Sequence, residues 1–238
     1  VKTSDIEYQA DGARLVGYLA VDETTVGKRP GVLVAHEGFG LNDHAKEIAR
    51  RLAEAGYVAF ALDYHGDGKP LTDMALAMSR IRGWIADPTG SLARGRAGLE
   101  ILLRQKETDA SRVAGIGYCF GGTLVLDMAR SGEDLKVVVG FHSGLGTGRA
   151  AAPGGVKSKV LVQIGAEDPV IPAEQRLAFE KEMTAAGVDW RMILYSGAGH
   201  SFTNPSANLF GRPGFGYHEP SDRRSWRAML DALDEVFA

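Results

Sequence analysis

The sequence predicts an α/β fold, with a mostly parallel sheet covered by helices on both faces. Three observations lead there. Short continuous apolar runs of strand length alternate with longer segments of helical period, the pattern of strands buried on both faces. The 238 residues suit one large domain spanning 1–238 better than two small ones. Hydrophobic residues make up 45% and charged residues 24%, a balance that supports a sizeable core.

The elements follow in order. A strand near Tyr8 and another from Arg14 to Val21 flank Asp11-Gly12, a hairpin turn pair. This antiparallel hairpin is expected at a sheet edge. Gly31 to His36 is the first buried strand; a helix from about Asp43 to Ala55 follows, with Ile48, Leu52 and Ala55 on one face and Gly56 as its stop. Further strands are expected at Tyr57–Asp63, Val113–Gly117, Lys136–Phe141, Lys159–Ile164 and Trp190–Tyr195. Helices are expected at Leu71–Ala86, Ser91–Lys106, from Cys119 onward, at Ala173–Ala186 and at Pro220–Phe237. In such sheets ligands bind beyond the carboxyl ends of the strands, so those loops hold the candidate chemistry.

Bulk properties exclude several classes. A formal net charge of −3 argues against an electrostatic nucleic-acid binder. No apolar run approaches the ~20 residues of a membrane-spanning helix, so no membrane association is expected. The single cysteine rules out an internal disulfide framework, and the first residues form no apolar signal core. A cytoplasmic location is the expectation.

Gly117-Tyr118-Cys119-Phe120-Gly121-Gly122 lies between a predicted strand and a predicted helix. It matches the nucleophile elbow of the α/β-hydrolase fold, with cysteine in the place usually held by serine. The plainer reading is a buried cysteine among packing glycines; the strand-turn-helix context favours a nucleophile. The free N–H groups and positive dipole end of the helix favour thiolate, lowering the thiol pKa from its free value of about 8.5.

On this fold the acid and then the histidine follow the nucleophile. Asp168 stands just past the strand ending at Ile164, in Gly165-Ala166-Glu167-Asp168-Pro169, and His200 stands past the strand ending at Tyr195. Glu167 competes as the acid and His218 as the base; the stiff turn before Pro169 favours Asp168, and position favours His200. The backbone N–H groups of Phe120 and of Gly38, the latter in the loop after the first parallel strand, are the candidate oxyanion hole.

Together, His36-Glu37-Gly38-Phe39-Gly40, Asp63-Tyr64-His65-Gly66, the elbow and Gly199-His200-Ser201-Phe202 resemble the dienelactone hydrolase family, carboxymethylenebutenolidase-like enzymes, over almost the whole chain. The resemblance implies an ester or lactone hydrolase with a Cys119, Asp168 and His200 triad, an acyl-enzyme and no metal or organic cofactor. It also implies that Glu37 lies beside the nucleophile and modulates it. Family members that hydrolyse dienelactone carry an arginine two residues after the His-Ser-Phe; here that residue is Asn204. A neutral amide cannot form the bidentate pair that arginine makes with a carboxylate. Glu37 is therefore expected to lack its partner, and the preferred substrates are expected to be neutral esters or lactones. Phe39, Arg80, Arg82, Trp84 and Asn204 are candidate substrate contacts. The Gly-rich stretch Gly144–Gly155 has the composition of a mobile loop near the site.

Competing readings are acyl transfer or thioester cleavage on the same scaffold, a metal hydrolase built on Asp63, His65 and Asp67, and a non-catalytic binding protein. The metal reading lacks any His-Glu-x-x-His or paired-cysteine spacing. The binding reading leaves three chemically competent triad positions unexplained.

Overall fold

The computed structural model describes residues 1–238, the side chain of Phe210 excepted. Its strands are β1 (Lys2–Ala10), β2 (Ala13–Val21), β3 (Arg29–Ala35), β4 (Val58–Leu62), β5 (Thr108–Tyr118), β6 (Val137–Phe141), β7 (Lys159–Gly165) and β8 (Trp190–Tyr195). They form one eight-stranded sheet in the order β1-β2-β4-β3-β5-β6-β7-β8. β1 pairs antiparallel with β2, and β2 antiparallel with β4; every other pairing is parallel. The hairpin lies at the edge as expected. Its turn residues Asp11 and Gly12 have φ of 50° and 68°, the geometry that matches the twist of paired strands.

Helices α1 (Asp43–Glu54) and α6 (Glu219–Phe237) cover one face of the sheet. The other face receives α2 (Met74–Ala86), α3 (Thr89–Leu103), α4 (Phe120–Arg130) and α5 (Ala173–Ala185). Strand alternation decides which side chain serves which layer. In β3, Val32 and Val34 pack toward α1 and α6, while Leu33 and Ala35 pack toward α3 and α4. In α1, Ala45, Ile48, Ala49 and Leu52 are buried at helical spacing, and Asn42 caps Ala45 N at 3.1 Å. Gly56, with φ of 96°, allows the chain to turn directly into β4.

The Gly144–Gly155 stretch is stitched to its surroundings. Arg130, whose side chain is fully buried, donates to Leu145 O and makes a bidentate pair with Glu182 while also reaching Asp127. Thr147 bonds Asp127, Ala151 N donates to Glu182, and Gly154 N donates to Ala186 O. Gly148 also permits close passage, since a Cβ on it would lie 2.6 Å from Ala86 O.

Two glycine substitutions separate packing from propensity. A Cβ on Gly121 would meet His36 O at 2.2 Å, backbone that cannot move aside, whereas one on Gly83 in α2 meets nothing within 4 Å. Gly121→Ala should destabilise the protein by roughly 3 kcal/mol or more, at or beyond the upper end for overpacking. Gly83→Ala should stabilise it by about 0.5–1 kcal/mol through helix propensity. Urea denaturation of both variants checks the contrast.

Candidate active site

The candidate catalytic and modulating groups stand beyond the carboxyl ends of parallel strands. Glu37 and Gly38 follow β3, Asp63 and His65 follow β4, Cys119 follows β5, His142 follows β6, Asp168 follows β7 and His200 follows β8. Because neighbouring strands run parallel, those ends lie in one row and their loops meet.

Cys119 occupies the turn with φ of 53° and ψ of −122°, a conformation that a residue with a side chain adopts only when its surroundings enforce it. The enforcement is close packing at the glycines. A Cβ on Gly117 would lie 2.2 Å from Gly121 O, and one on Gly122 only 1.7 Å from Ser143 Oγ. Cys119 N donates to Phe141 O at 2.9 Å, fixing the turn to the end of β6.

His200 Nε2 lies 3.2 Å from Cys119 Sγ, and its Nδ1 lies 2.8 Å from Asp168 Oδ2. The other carboxylate oxygen, Oδ1, accepts from Val170 N at 2.8 Å, so Asp168 is held at both ends. Glu167 instead accepts from Gly197 N at an exposed position. His218 caps α6 and bonds Ser221 Oγ at 2.8 Å, away from Cys119. The loop bearing His200 is clamped by the segment beyond it: His200 N donates to Gly214 O at 2.7 Å, and Phe215 packs on the imidazole at 4.9 Å. Burial opposes a charge on His200, yet its Coulombic interaction with Cys119 and the bonds to Asp168 and Cys119 overcome it and push its pKa up to about 10.

Gly38 is buried beside the first residue of α4, and a Cβ on it would lie 3.9 Å from Phe120 Cβ. Among the described residues neither Gly38 N nor Phe120 N donates to a backbone acceptor outside regular elements. Both belong to segments that border Cys119, the place required of an oxyanion hole. Trp84 stacks on Phe120 with centroids 5.7 Å apart and meets Tyr64 edge-on. Ile81 covers Gly38 from the same helix.

Glu37 differs from expectation. Its carboxylate is buried but not unpartnered: Asn204 Nδ2 donates to Oε2 at 2.5 Å, and His44 Nδ1 lies 3.6 Å from the same oxygen. Burial favours protonation, but His44 first and Asn204 with it prevail and hold the pKa at about 2, so Glu37 is a carboxylate. Asn204 is fixed in turn, because its Oδ1 accepts from Ser206 N and caps a 3₁₀ turn, Pro205–Phe210. Asn204-Pro205 carried that cap signal in the sequence.

A cavity of about 330 Å³ opens at this pair, with Glu37, Phe39, His44, Leu71, Met74 and Asn204 among its lining. Arg80 turns to His65 O at 3.0 Å and Arg82 is exposed; neither lines that cavity. Asp63 accepts four backbone N–H groups, from Val16, His65, Gly66 and Gly68, which occupies both its oxygens in holding the loop.

His142 was not anticipated. It is fully buried with φ of 40°, its ring meets that of His200 edge-to-face at 5.2 Å, and Nε2 bonds Thr203 Oγ1 at 2.9 Å. Burial first, and the neighbouring His200 second, keep its pKa well below the usual histidine value, so it is a neutral wall. Its place at the end of β6 was the available signal.

The raised pKa of His200 provides a direct check. Cys119→Ala removes the first favourable influence on the imidazolium, so His200 should titrate well below the wild-type value of about 10. An NMR titration of the imidazole resonances in both proteins measures the difference; an unchanged value would show that Asp168 alone sustains it.

The chain is similar to known proteins over nearly its whole length. The chain is 42% identical to a dienelactone hydrolase-like promiscuous phosphotriesterase, P91, from metagenomic libraries, with a TM-score of 0.94 over 100% of this chain and 99% of that one. It is 44% identical to a structure titled m3DLH, again with a TM-score of 0.94 and 100% and 99% coverage. A Salmonella typhimurium protein named "Putative carboxymethylenebutenolidase" is 29% identical over 232 residues, 93% of this chain and 83% of that protein. The Dienelactone hydrolase family model matches residues 15–237, and with an α/β-hydrolase sheet beneath that match the chain belongs to the dienelactone hydrolase family.

Proposed function

We propose that this member of the family cleaves carboxylic esters or lactones through a covalent acyl-enzyme on Cys119. The observation that carries the reading is the continuous path from Asp168 Oδ2 through His200 to Cys119 Sγ, with contacts of 2.8 and 3.2 Å.

The chemistry follows from those contacts. With the proton on His200, the sulfur attacks the carbonyl carbon and the carbonyl π electrons move to oxygen. The resulting oxyanion is met by the N–H groups of Phe120 and Gly38. As the tetrahedral species collapses, the C–O bond to the leaving oxygen breaks and His200 Nε2–H protonates that oxygen. In a lactone the new hydroxyl remains tethered to the acyl group. His200, now neutral, takes a proton from water, the water oxygen attacks the thioester, and collapse returns the thiolate and the imidazolium. Asp168 fixes the tautomer that leaves Nε2 facing sulfur. Glu37, a fixed negative charge beyond Gly38, acts on the nucleophile through space. Interception of the acyl-enzyme by another nucleophile would make the same site an acyltransferase or thioesterase; no feature favours that over water.

Two sets of variants test the reading. Cys119→Ala should abolish hydrolysis of p-nitrophenyl acetate with the fold retained, and Cys119→Ser should be poor, because a hydroxyl needs a stronger base than a thiol. Full activity in purified Cys119→Ala would end the proposal. Asp168→Asn should lower kcat by roughly 10²–10⁴, whereas Glu167→Gln, whose carboxylate faces Gly197, should change it little. Steady-state kinetics of both decide, and the reverse ranking would reassign the acid.

A further inference from the structure

The orientation of His200 is set by two bonds at its ring nitrogens, to Asp168 and to Cys119 Sγ. The χ2 torsion that tilts a histidine ring is a broad one and adds little restraint of its own. During the proposed turnover one of the two bonds is lost. Once Cys119 carries an acyl group, its sulfur has neither a proton to give nor a charge to hold the imidazole. Asp168 is then the hydrogen-bond partner that His200 keeps. Any further contact on the ring acts chiefly at that stage, when Nε2 must face an attacking water.

Phe215 supplies such a contact from outside the core. It is half-buried and belongs to none of the three apolar clusters formed by the described residues. Its ring centroid lies 4.9 Å from that of His200, with the planes at 58°. His200 and Phe215 are partners in a short parallel bridge, so their side chains leave the backbone on the same side. The Phe215 ring is itself held. Phe215 N donates to Arg212 O at 3.0 Å and closes a turn with Pro213 second and Gly214, φ 76°, third, the pattern of a type II turn. A Cβ on Gly214 would lie 2.8 Å from Pro169 Cγ, so the turn also abuts the loop that carries Asp168. The Arg212 guanidinium covers the Phe215 ring at 4.4 Å. His142 meets the same imidazole, but it is fully buried and packs on Phe202 as well, so its removal would disturb the interior.

We propose that Phe215 is a positioning residue for deacylation: its ring keeps His200 Nε2 aimed at the reacting centre while the acylated sulfur cannot. The proposal rests on the ester-hydrolase reading above. In that step His200 accepts a proton from water as the water oxygen bonds to the acyl carbon. Collapse then breaks the C–S bond and returns its electron pair to sulfur. Phe215 makes and breaks no bond. Acylation depends on it less, because the free sulfur still meets Nε2 at 3.2 Å and orients the ring.

The test is the split between kcat and kcat/KM with p-nitrophenyl acetate. Phe215→Ala should lower kcat about tenfold and change kcat/KM by less than about twofold, because kcat/KM reports acylation while kcat then reports deacylation. Stopped-flow mixing should show a burst of p-nitrophenol, about one per enzyme molecule, before the slow steady state. Phe215→Tyr keeps the ring and should stay within about twofold of wild type in both constants. Phe215→Leu keeps apolar bulk without the ring; it should behave like Phe215→Ala, and it replaces that variant should the alanine protein fail to fold. A general loosening of the structure would not separate the two constants. A ringless variant with the wild-type kcat, or one that loses kcat and kcat/KM equally with no burst, overturns the proposal and leaves the hydrolase reading intact. Absence of Cys119-dependent hydrolysis in the wild type overturns both.

Discussion

The left-handed backbone at Cys119 is the constraint on which the candidate site depends. A cysteine does not adopt φ of 53° by preference, and the turn persists because glycines let three backbone segments touch. Gly117 admits the first turn of α4, and Gly121 admits the carbonyls of Ala35 and His36 at the end of β3. That second contact brings the Glu37–Phe39 loop against Phe120. A larger side chain at either glycine would separate the sulfur from His200 and Phe120 from Gly38 together. One local geometry thus sets both the aim of Cys119 Sγ and the position of the Phe120 and Gly38 N–H groups.

Around that turn, burial decides which histidines carry charge. His36 is stacked on Tyr64 at 3.8 Å and desolvation pulls its pKa down to about 4; the same cause lowers that of His65 to about 3. Their ring nitrogens meet the carbonyl oxygens of Glu37 and Gly38, which orient a neutral imidazole without compensating a buried cation. His142 is neutral for the same reason. His200 is just as enclosed, but it alone of these four contacts both a carboxylate and the sulfur. Positive charge is thereby favoured on His200 and kept off the rings of His36, His65 and His142. Those neutral rings hold the loops without adding cations that would compete for Cys119.

Much of this was legible in the sequence because it is written locally. Strand-length apolar runs gave the sheet layers, since each buried strand must be apolar on both faces. Asp11-Gly12 marked the hairpin, and Gly117 through Gly122 marked the elbow through glycines that only a crowded turn requires. The chain order of Cys119, Asp168 and His200, each just past a strand, identified the three residues that the fold brings within hydrogen-bond reach. Glycine content at Gly144–Gly155 suggested mobility, but composition does not register the hydrogen bonds from Arg130 and to Glu182 that tie the stretch to its surroundings.

The environment of Glu37 had no local signature. Asn204 approaches it across 167 positions of sequence, and His44 comes from the first turn of a helix whose rotation follows from packing Ile48 and Leu52. Read as a departure from an arginine, Asn204 implied a carboxylate without a partner; in three dimensions it is the partner. His142 likewise acquires its place only when β6 is paired between β5 and β7, which sets its ring against that of His200. The sequence by itself determined the α/β layers, the elbow and the three residues in line. The tertiary structure decided their electrostatic surroundings, because a buried charge responds to every group within a few ångströms, whatever its distance along the chain.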